Sequence, residues 1–441
     1  MRILLITQAF HPEMGALPSR MYPFAQELTR AGHSVFVATG MPNYPKGIAF
    51  EGYKNKLFMR EEIDGYTVLR TASYYVPRNI SRWRQLLSYL SFIPAAFVGG
   101  VRAGKVDVVF VTSPPIFPAI AAIALAKLRG AKLVFDIRDL WPDEIAACGG
   151  AKDGSLPIRF ISRVERFIYR CSDCVCCTTP SFVSTVIERG VSSSKAVYLP
   201  NGADLQLFRP SQSGENHSRP EHLRGKFVVL FSGILGIKQG LDTLLSAAKL
   251  VEKEKDIVFL LVGGGSRERD VAERVQTLGL KNVILAGEQK FKDVPRMIQL
   301  ADLCVSLLLP EPYLQKIISV KLFEYMASGK PIVGAHAGES ARVIRESGCG
   351  MVVPPGNAEA LAEGIRVMRD TPELCAECGE RGLQWVEQHH SRRRIAQRLE
   401  RILTGLVTQG VVVDETASDS ARLAEAQAAD AHHARAQDAA A

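Results

Sequence analysis

One pattern constrains this chain more than any other. Short runs of β-branched and aliphatic residues, each followed by a helical segment, repeat along the first half and then start again. The first series is Ile3–Thr7, Ser34–Thr39, Val106–Thr112, Lys132–Ile137, Cys174–Thr178 and Ala196–Leu199. The second is Phe227–Phe231, Ile257–Val262, Val283–Ala286, Leu303–Leu308, Pro331–Ala335 and Gly350–Val353. Neither series alternates polar with apolar residues, as a sheet wetted on one face would. Both read as parallel strands buried on both faces. Helical residues lie between them, for example Ser19–Ala31, stopped by Gly32. Repeated strand–helix units build doubly wound parallel sheets with right-handed crossovers. The fold class is therefore α/β, with two Rossmann-like domains.

The two series meet at Pro200-Asn201-Gly202-Ala203-Asp204, and a polar stretch, Ser211–Arg224, follows. This turn-rich segment reads as the interdomain connection. Ligands of such folds bind at the carboxyl ends of the strands, so a cleft between the two domains is expected. We divide the chain into an N-terminal domain over 1–199, a C-terminal domain over 200–385, a C-terminal helix over 386–413 packing back on the N-terminal domain, and an Ala-rich, flexible tail over 414–441.

Charge and cysteine content narrow the function. The net charge of +8 favours anionic partners, whether nucleic acid, acidic lipid or phosphorylated small molecules. The basic residues are dispersed and carry no aromatic stacking motif, which argues against nucleic acid. No run of about 20 uninterrupted apolar residues occurs, so no spanning helix is expected. The start, Met1-Arg2-Ile3-Leu4-Leu5-Ile6-Thr7, is too strand-like for a signal peptide, and a cytoplasmic protein is expected. Cys171, Cys174, Cys176 and Cys177 cluster, and Cys375 and Cys378 form a second pair, but both sets suit buried thiols better than zinc.

Five stretches could carry chemistry. In the strongest, Tyr313–Pro331, Ser319 is placed to cap a helix, and Gly329 and Pro331 end it, predicting a helix from about Val320 to Ser328. Lys321 then falls in the first turn, where the helix dipole disfavours a cation unless an anion is bound. Glu324, one turn on, could accept hydrogen bonds from ribose hydroxyls. The competing reading is a capped surface helix with both charges solvated. The loop after the first strand, Gln8–Pro18, carries Gly15, which lets backbone approach a ligand, or is a plain turn glycine. In the second half, Gly233, Gly236, Lys238, Gln239 and Gly240 follow a strand and suit phosphate. Gly263-Gly264-Gly265 after the next strand reads rather as a tight strand-to-helix turn. Arg138 and Asp139 end the strand Lys132–Ile137, either pointing into the cleft or forming a structural ion pair. Finally, Arg78–Val101 sets Arg78, Arg82, Trp83 and Arg84 beside an apolar run, which suits an anionic membrane interface or a buried helix. No G-x-S-x-G or H-E-x-x-H occurs.

Together these elements resemble the family 4 retaining glycosyltransferases of the GT-B fold. The resemblance rests on the Gly15 loop, Arg30-Ala31-Gly32-His33-Ser34-Val35, Pro200-Asn201-Gly202 with Asp204 and Phe208, and Lys321-Leu322-Phe323-Glu324-Tyr325-Met326-Ala327-Ser328-Gly329-Lys330-Pro331. Within the family it is similar to the bacterial polysaccharide branch that includes fucosaminyl and colanic-acid transferases, through Met41–Gly47, Arg138-Asp139-Leu140-Trp141-Pro142 and Gly236-x-x-Gln239-Gly240-Leu241.

The resemblance implies two Rossmann-like domains facing across a cleft. It implies a nucleotide diphosphate sugar as donor, with UDP expected as its nucleotide, held by the C-terminal domain without metal or other cofactor. Glu324 matches the second glutamate of the family's E-x7-E motif, which binds ribose, and Gly15 matches the glycine that lets the N-terminal loop approach the diphosphate. Two departures stand out. The first glutamate position is Lys316, and the Arg and Lys of the phosphate loop fall on Ile234 and Gln239. Lys238, Lys316 and Lys321 are therefore expected to supply the positive charge, with Gly233, Gln239 and Ser319 beside them. Lys321, Glu324, Asp139 and Arg138 are the expected catalytic residues. The acceptor implied is a glycan or a polyprenyl-diphosphate-linked glycan, met at the inner face of a membrane through about 78–101. A nucleotide-sugar epimerase and a non-catalytic nucleotide-sugar-binding scaffold are the rival readings.

Overall fold

A computed structural model describes residues 1–412, apart from 14, 45, 78–80, 148, 151, 153 and 212–218. The expected tail over 414–441 and Arg78 lie outside the described residues, as does part of the polar stretch after Asp204. The chain forms two compact units, Met1–Pro200 together with Ile395 onward, and Asn201–Arg394.

The N-terminal unit is built on eight strands: β1 (Arg2–Ile6), β2 (Ser34–Gly40), β3 (Phe58–Ile63), β4 (Tyr66–Thr71), β5 (Val108–Ser113), β6 (Lys132–Ile137), β7 (Cys174–Cys177) and β8 (Ala196–Tyr198). Their order across the sheet is β3-β4-β2-β1-β5-β6-β7-β8, parallel except for β3. The apolar runs named from sequence are six of these strands. The hairpin β3–β4 was not among them. Arg60, Glu61 and Glu62 give β3 the look of a polar loop, yet an edge strand tolerates them. Asp64-Gly65, both at positive φ, is the two-residue turn that marks such a hairpin.

Both faces of this sheet are covered. Ile3, Leu5, Val35, Val37 and Val68 point to one side, where helix Ala16–Arg30 and the last helix, Arg392–Thr408, meet them through Met21, Phe24, Leu399 and Leu403. Leu4, Ala38 and Leu69 point to the other side. There helix Arg82–Arg102 lies so close that a Cβ on Gly99 would touch Ala38 and one on Gly100 would strike Leu125 and Leu4. Leu125 belongs to helix Pro118–Arg129, which lies beside it over β5 and β6. Helix Leu156–Cys171 comes next in that layer, with Tyr169 against Phe135. The first helix starts at Ala16, three residues earlier than expected, because Pro18 fits a first turn, whose N–H needs no intrahelical partner.

The C-terminal unit has six parallel strands: β9 (Phe227–Ser232), β10 (Ile257–Val262), β11 (Val283–Gly287), β12 (Leu303–Leu307), β13 (Ile332–Ala335) and β14 (Gly350–Val353). Their order is β11-β10-β9-β12-β13-β14. The order reverses at β9/β12, so the loops leaving those two strands open at a topological switch point. At the start of this unit, Ala203 exchanges hydrogen bonds with His390 and Arg392, at 2.9 and 3.0 Å. His390 also stacks on Phe323 and on Trp385, fixing this crossing.

Candidate functional site

The site in the C-terminal unit is assembled by one short helix, Val320–Ala327, acting on the loop that leaves β9. Tyr325 and Lys321 stand one turn apart on the same face. The Tyr325 hydroxyl accepts the Ser232 N–H at 2.8 Å, at the last residue of β9. Lys321 reaches the next residue, Gly233. A Cβ on Gly233 would lie 3.2 Å from the Lys321 Nζ, and φ of +132° further restricts that position to glycine. The ammonium donates to Gln239 Oε1 at 2.7 Å and sits 3.9 Å over the Phe231 ring. Gly233, Gln239 and Lys321 are thus brought to one point.

The glycine triplet supports this loop from behind. Gly263, at φ +143°, packs so tightly that a Cβ would fall 1.8 Å from the Gly233 carbonyl oxygen. The Leu235 N–H donates to the Gly264 carbonyl at 2.9 Å. The triplet is therefore a close backbone junction, in keeping with its reading as a tight turn.

Lys238 lies on the short 3-10 turn Ile237–Gln239, its Nζ 5.8 Å from the Tyr313 ring centre. Its carbonyl accepts the Leu309 N–H at 3.0 Å, tying the loop to the end of β12. Lys316 caps the four-residue helix Pro312–Gln315 and is half-buried. Ser319 occupies the N-cap position, but its side chain makes no cap hydrogen bond, which corrects the expectation drawn from its residue type. Its backbone N–H instead donates to Ser340 Oγ at 3.1 Å, so the helix start is held by the neighbouring helix Gly338–Ser347. The helix ends at Ala327, with Ser328 as its cap and Gly329 in the left-handed region.

The electrostatics of this site are unusual. Burial pushes the Lys321 ammonium down to about 7, with Glu324 opposing the shift. Burial pushes the Glu324 carboxyl up to about 7, opposed first by Arg392 and then by Lys321. Sequence reading missed Arg392. It donates to the Gly202 carbonyl at 3.3 Å and stands 3.8 Å from Asp204, so it links the Pro200–Asp204 segment to Glu324. His336, at the end of β13, was missed as well. It is buried, meets Ser306 Oγ at 2.9 Å and leaves Nδ1 without a partner. Burial, reinforced by Lys321, pushes its ring down to about 3, so it stays neutral. Neither residue had a local sequence signal, because each acts across a long chain separation.

In the N-terminal unit the expected residues sit at strand ends. Gly15 is the N-cap of the first helix at φ +137°. Glu13, buried beside it, accepts N–H groups from Phe10, Asn43 and Tyr44 at 3.1, 2.9 and 2.9 Å, pinning the Gly15 loop to the Met41–Gly47 stretch. Arg138 and Asp139 follow β6. Burial lowers the Arg138 guanidinium's affinity for its proton, Asp139 opposes this, and the Arg138 Nε has no hydrogen-bond partner. A buried ion pair also anchors this stretch. Arg20 Nη2 meets Asp136 Oδ1 at 2.7 Å, both side chains being buried. Arg20 also donates to the Leu199 and Pro200 carbonyls, and Thr112 donates to Asp136. A hint existed in sequence: Arg20 shares a helical stripe with Phe24 and Leu28, where a charge needs a buried partner.

The described cysteines are free thiols, with Cys174, Cys176 and Cys177 buried in β7. Among the described residues, no group of three or more His, Cys, Asp or Glu is arranged to hold a metal ion.

Comparison with known proteins identifies both halves of the chain. Residues 15–202 match the glycosyl transferase 4-like domain, and residues 213–385 match the family described as glycosyl transferases group 1. The "Putative colanic acid biosynthesis glycosyl transferase WcaI" of Escherichia coli (strain K12) is 27% identical over 376 residues, covering 83% of this chain and 91% of that protein. Among solved structures, the sucrose-phosphate synthase of Thermosynechococcus elongatus superposes with a TM-score of 0.74 at 20% identity, over 92% of this chain and 98% of that one. Anabaena Alr3699/HepE, solved in complex with UDP-glucose, gives a TM-score of 0.66 at 18% identity, over 92% and 100%. These two likenesses concern the fold.

Proposed function

The chain belongs to the family 4 glycosyltransferases of the GT-B fold, and from that premise we propose that it transfers a sugar with retention from a UDP-linked donor to a glycan or polyprenyl-diphosphate-linked glycan in cell-surface polysaccharide synthesis. One observation carries the donor half of this reading: Lys321, Gly233 and Gln239 converge at a switch point, with Glu324 one turn along the same helix. The UDP-glucose held by the Anabaena protein and the colanic-acid role in the name of the E. coli relative support the donor base and the pathway class.

The chemistry follows from charge. As the glycosidic bond to the diphosphate breaks, negative charge grows on the phosphate oxygens. Lys321 and the first-turn N–H groups of its helix stabilise that charge more than they stabilise the ground state. Gln239 holds the Lys321 ammonium until the diphosphate arrives. Lys238 and Lys316 add positive charge around the loop, which substitutes for a metal ion, so turnover should persist in the presence of a chelator. Glu324 accepts the ribose hydroxyls, and Arg392 favours its ionised form against the effect of burial. The sugar becomes oxocarbenium-like, and the departing phosphate takes the proton of the acceptor hydroxyl on the same face. Gly15 lets the N-terminal loop approach the diphosphate, and Arg138 and Asp139 serve the acceptor. The protein works peripherally at the cytoplasmic face of an anionic membrane, which it meets through about 78–101.

Calorimetry with UDP-, GDP- and dTDP-sugars, on wild type and Glu324→Ala in parallel, tests the reading. UDP-sugar binding that is lost in the variant, followed by transfer to a lipid-linked glycan, is the expected outcome. UDP-sugar turnover without acceptor would favour an epimerase. Binding without turnover on any acceptor would favour a scaffold.

A further inference from the structure

The helices Arg82–Arg102, Pro118–Arg129 and Leu156–Cys171 lie side by side over one face of the N-terminal sheet. Between them they carry nine Lys and Arg against one acid, Glu165, an excess of eight. The whole chain has 54 Lys and Arg against 46 Asp and Glu, also an excess of eight. These three helices therefore carry an excess of positive charge equal to that of the whole chain.

The helix Leu156–Cys171 separates its residues into three stripes. Ile158, Glu165 and Ile168 face the protein. Leu156, Phe160 and Phe167, at spacings of four and seven, lie on the opposite side and are 78%, 59% and 50% exposed. Arg159, Arg163, Arg166 and Arg170 form a third stripe beside the exposed apolar one, and all four are exposed. Among the described residues none of the four makes an ion pair, and Arg166 bonds only to the Ser162 carbonyl of its own helix, at 3.3 Å. Glu165, the one acid, is turned inward and taken by Arg189 at 2.8 Å.

The neighbouring helices repeat the arrangement. Trp83, Leu87 and Leu90 are exposed at spacings of four and three on Arg82–Arg102, and Ile120 and Leu128 at a spacing of eight on Pro118–Arg129. None of these residues is needed for the core, which the inward faces of the helices supply. Bulky apolar residues standing outward beside unmatched arginines fit an anionic bilayer, where the rings enter the headgroup boundary and the guanidinium groups meet lipid phosphates. Among the described residues no helix is long and apolar enough to cross a membrane, so the contact would be a docking one.

We propose that this three-helix face is the membrane-docking surface of the protein, that it binds anionic phospholipid, and that helix Leu156–Cys171 is its principal contact. The proposal extends the peripheral reading given above, which rests on the segment 78–101, to a different helix. Sedimentation of the full chain with vesicles of phosphatidylcholine, with and without phosphatidylglycerol, tests it. Wild type should bind only the phosphatidylglycerol vesicles, and less at high salt. Changing Arg159, Arg163, Arg166 and Arg170 together to Gln should weaken partitioning by several hundredfold, at roughly fivefold per basic residue. Phe160→Ser with Phe167→Ser should also weaken it, whereas UDP-sugar binding should be unchanged in both variants, which shows that they fold. If the four-Gln variant binds as wild type while Trp83→Ser with Leu87→Ser abolishes binding, this inference fails and the contact through 78–101 stands. If no variant matters, or wild type ignores phosphatidylglycerol, both fail. Vesicle binding that survives loss of the two phenylalanines and is matched by RNA would overturn the proposal in favour of a polyanion site.

Discussion

The two units bury charge in different ways. In the N-terminal unit Arg20 and Asp136 are fully matched: two charges, a threonine hydroxyl and two carbonyls satisfy one another at the junction of the first helix, β5, β6 and Leu199-Pro200. At the site in the C-terminal unit, Lys321 and Glu324 are buried without an ion pair among the described residues. Lys321 meets a neutral amide and an aromatic ring, and Glu324 and Lys321 are both pushed toward about 7 by burial. A matched buried pair holds structure. A buried charge left short of a counter-charge marks a candidate ligand site. Residue type alone does not separate the two cases, since each is a basic side chain on an otherwise apolar helix face.

The contrast is most sharply broken at Arg20. Arg20→Met leaves Asp136 charged and buried, so it should cost about 3–5 kcal/mol in denaturant unfolding, and adding Asp136→Leu should restore most of that. A loss under about 1 kcal/mol would mean that the pair is no clamp. Lys321→Met should behave in the opposite way. Removing a desolvated, unmatched ammonium should leave the melting temperature equal or higher, while kcat falls roughly 100- to 1,000-fold, as for loss of one transition-state donor. A drop in both stability and activity would make Lys321 structural.

The pH dependence sharpens the comparison further. Glu324 holds its proton up to about 7, against 4.5 ordinarily, so the folded state binds more protons and this contribution to stability falls between those values as pH rises. Lys321 releases its proton at about 7, against 10.5 ordinarily, so its contribution rises across that upper window. A bound diphosphate returns the proton to Lys321. Donor binding above neutrality should therefore take up close to one proton, seen as a calorimetric enthalpy that varies with the buffer's ionisation enthalpy. Lys321→Met should remove that dependence. The smallest effect is expected at Ser319. Because its hydroxyl caps nothing, Ser319→Ala should change stability by less than about 0.5 kcal/mol, below the usual cost of losing a serine cap.

The sequence by itself determined the parallel sheets, since runs such as Lys132–Ile137 and Ile257–Val262 are too apolar to face water on either side. It also singled out Gly233, Lys321 and Glu324 as candidates, because glycines after strands and a lysine in a helix's first turn are local signals that need no partner to be read. It did not reveal β3, whose charged residues a sheet edge tolerates, or β4, whose one charge, Arg70, is buried and taken by Glu61 of β3. Nor did it reveal Arg392, His336 or the Arg20–Asp136 pair, whose roles depend on residues brought together from tens to nearly two hundred positions away. Only the tertiary structure decided which buried charges find partners. Local sequence sets where a side chain can point, whereas its charge balance is set by whatever the fold places opposite it.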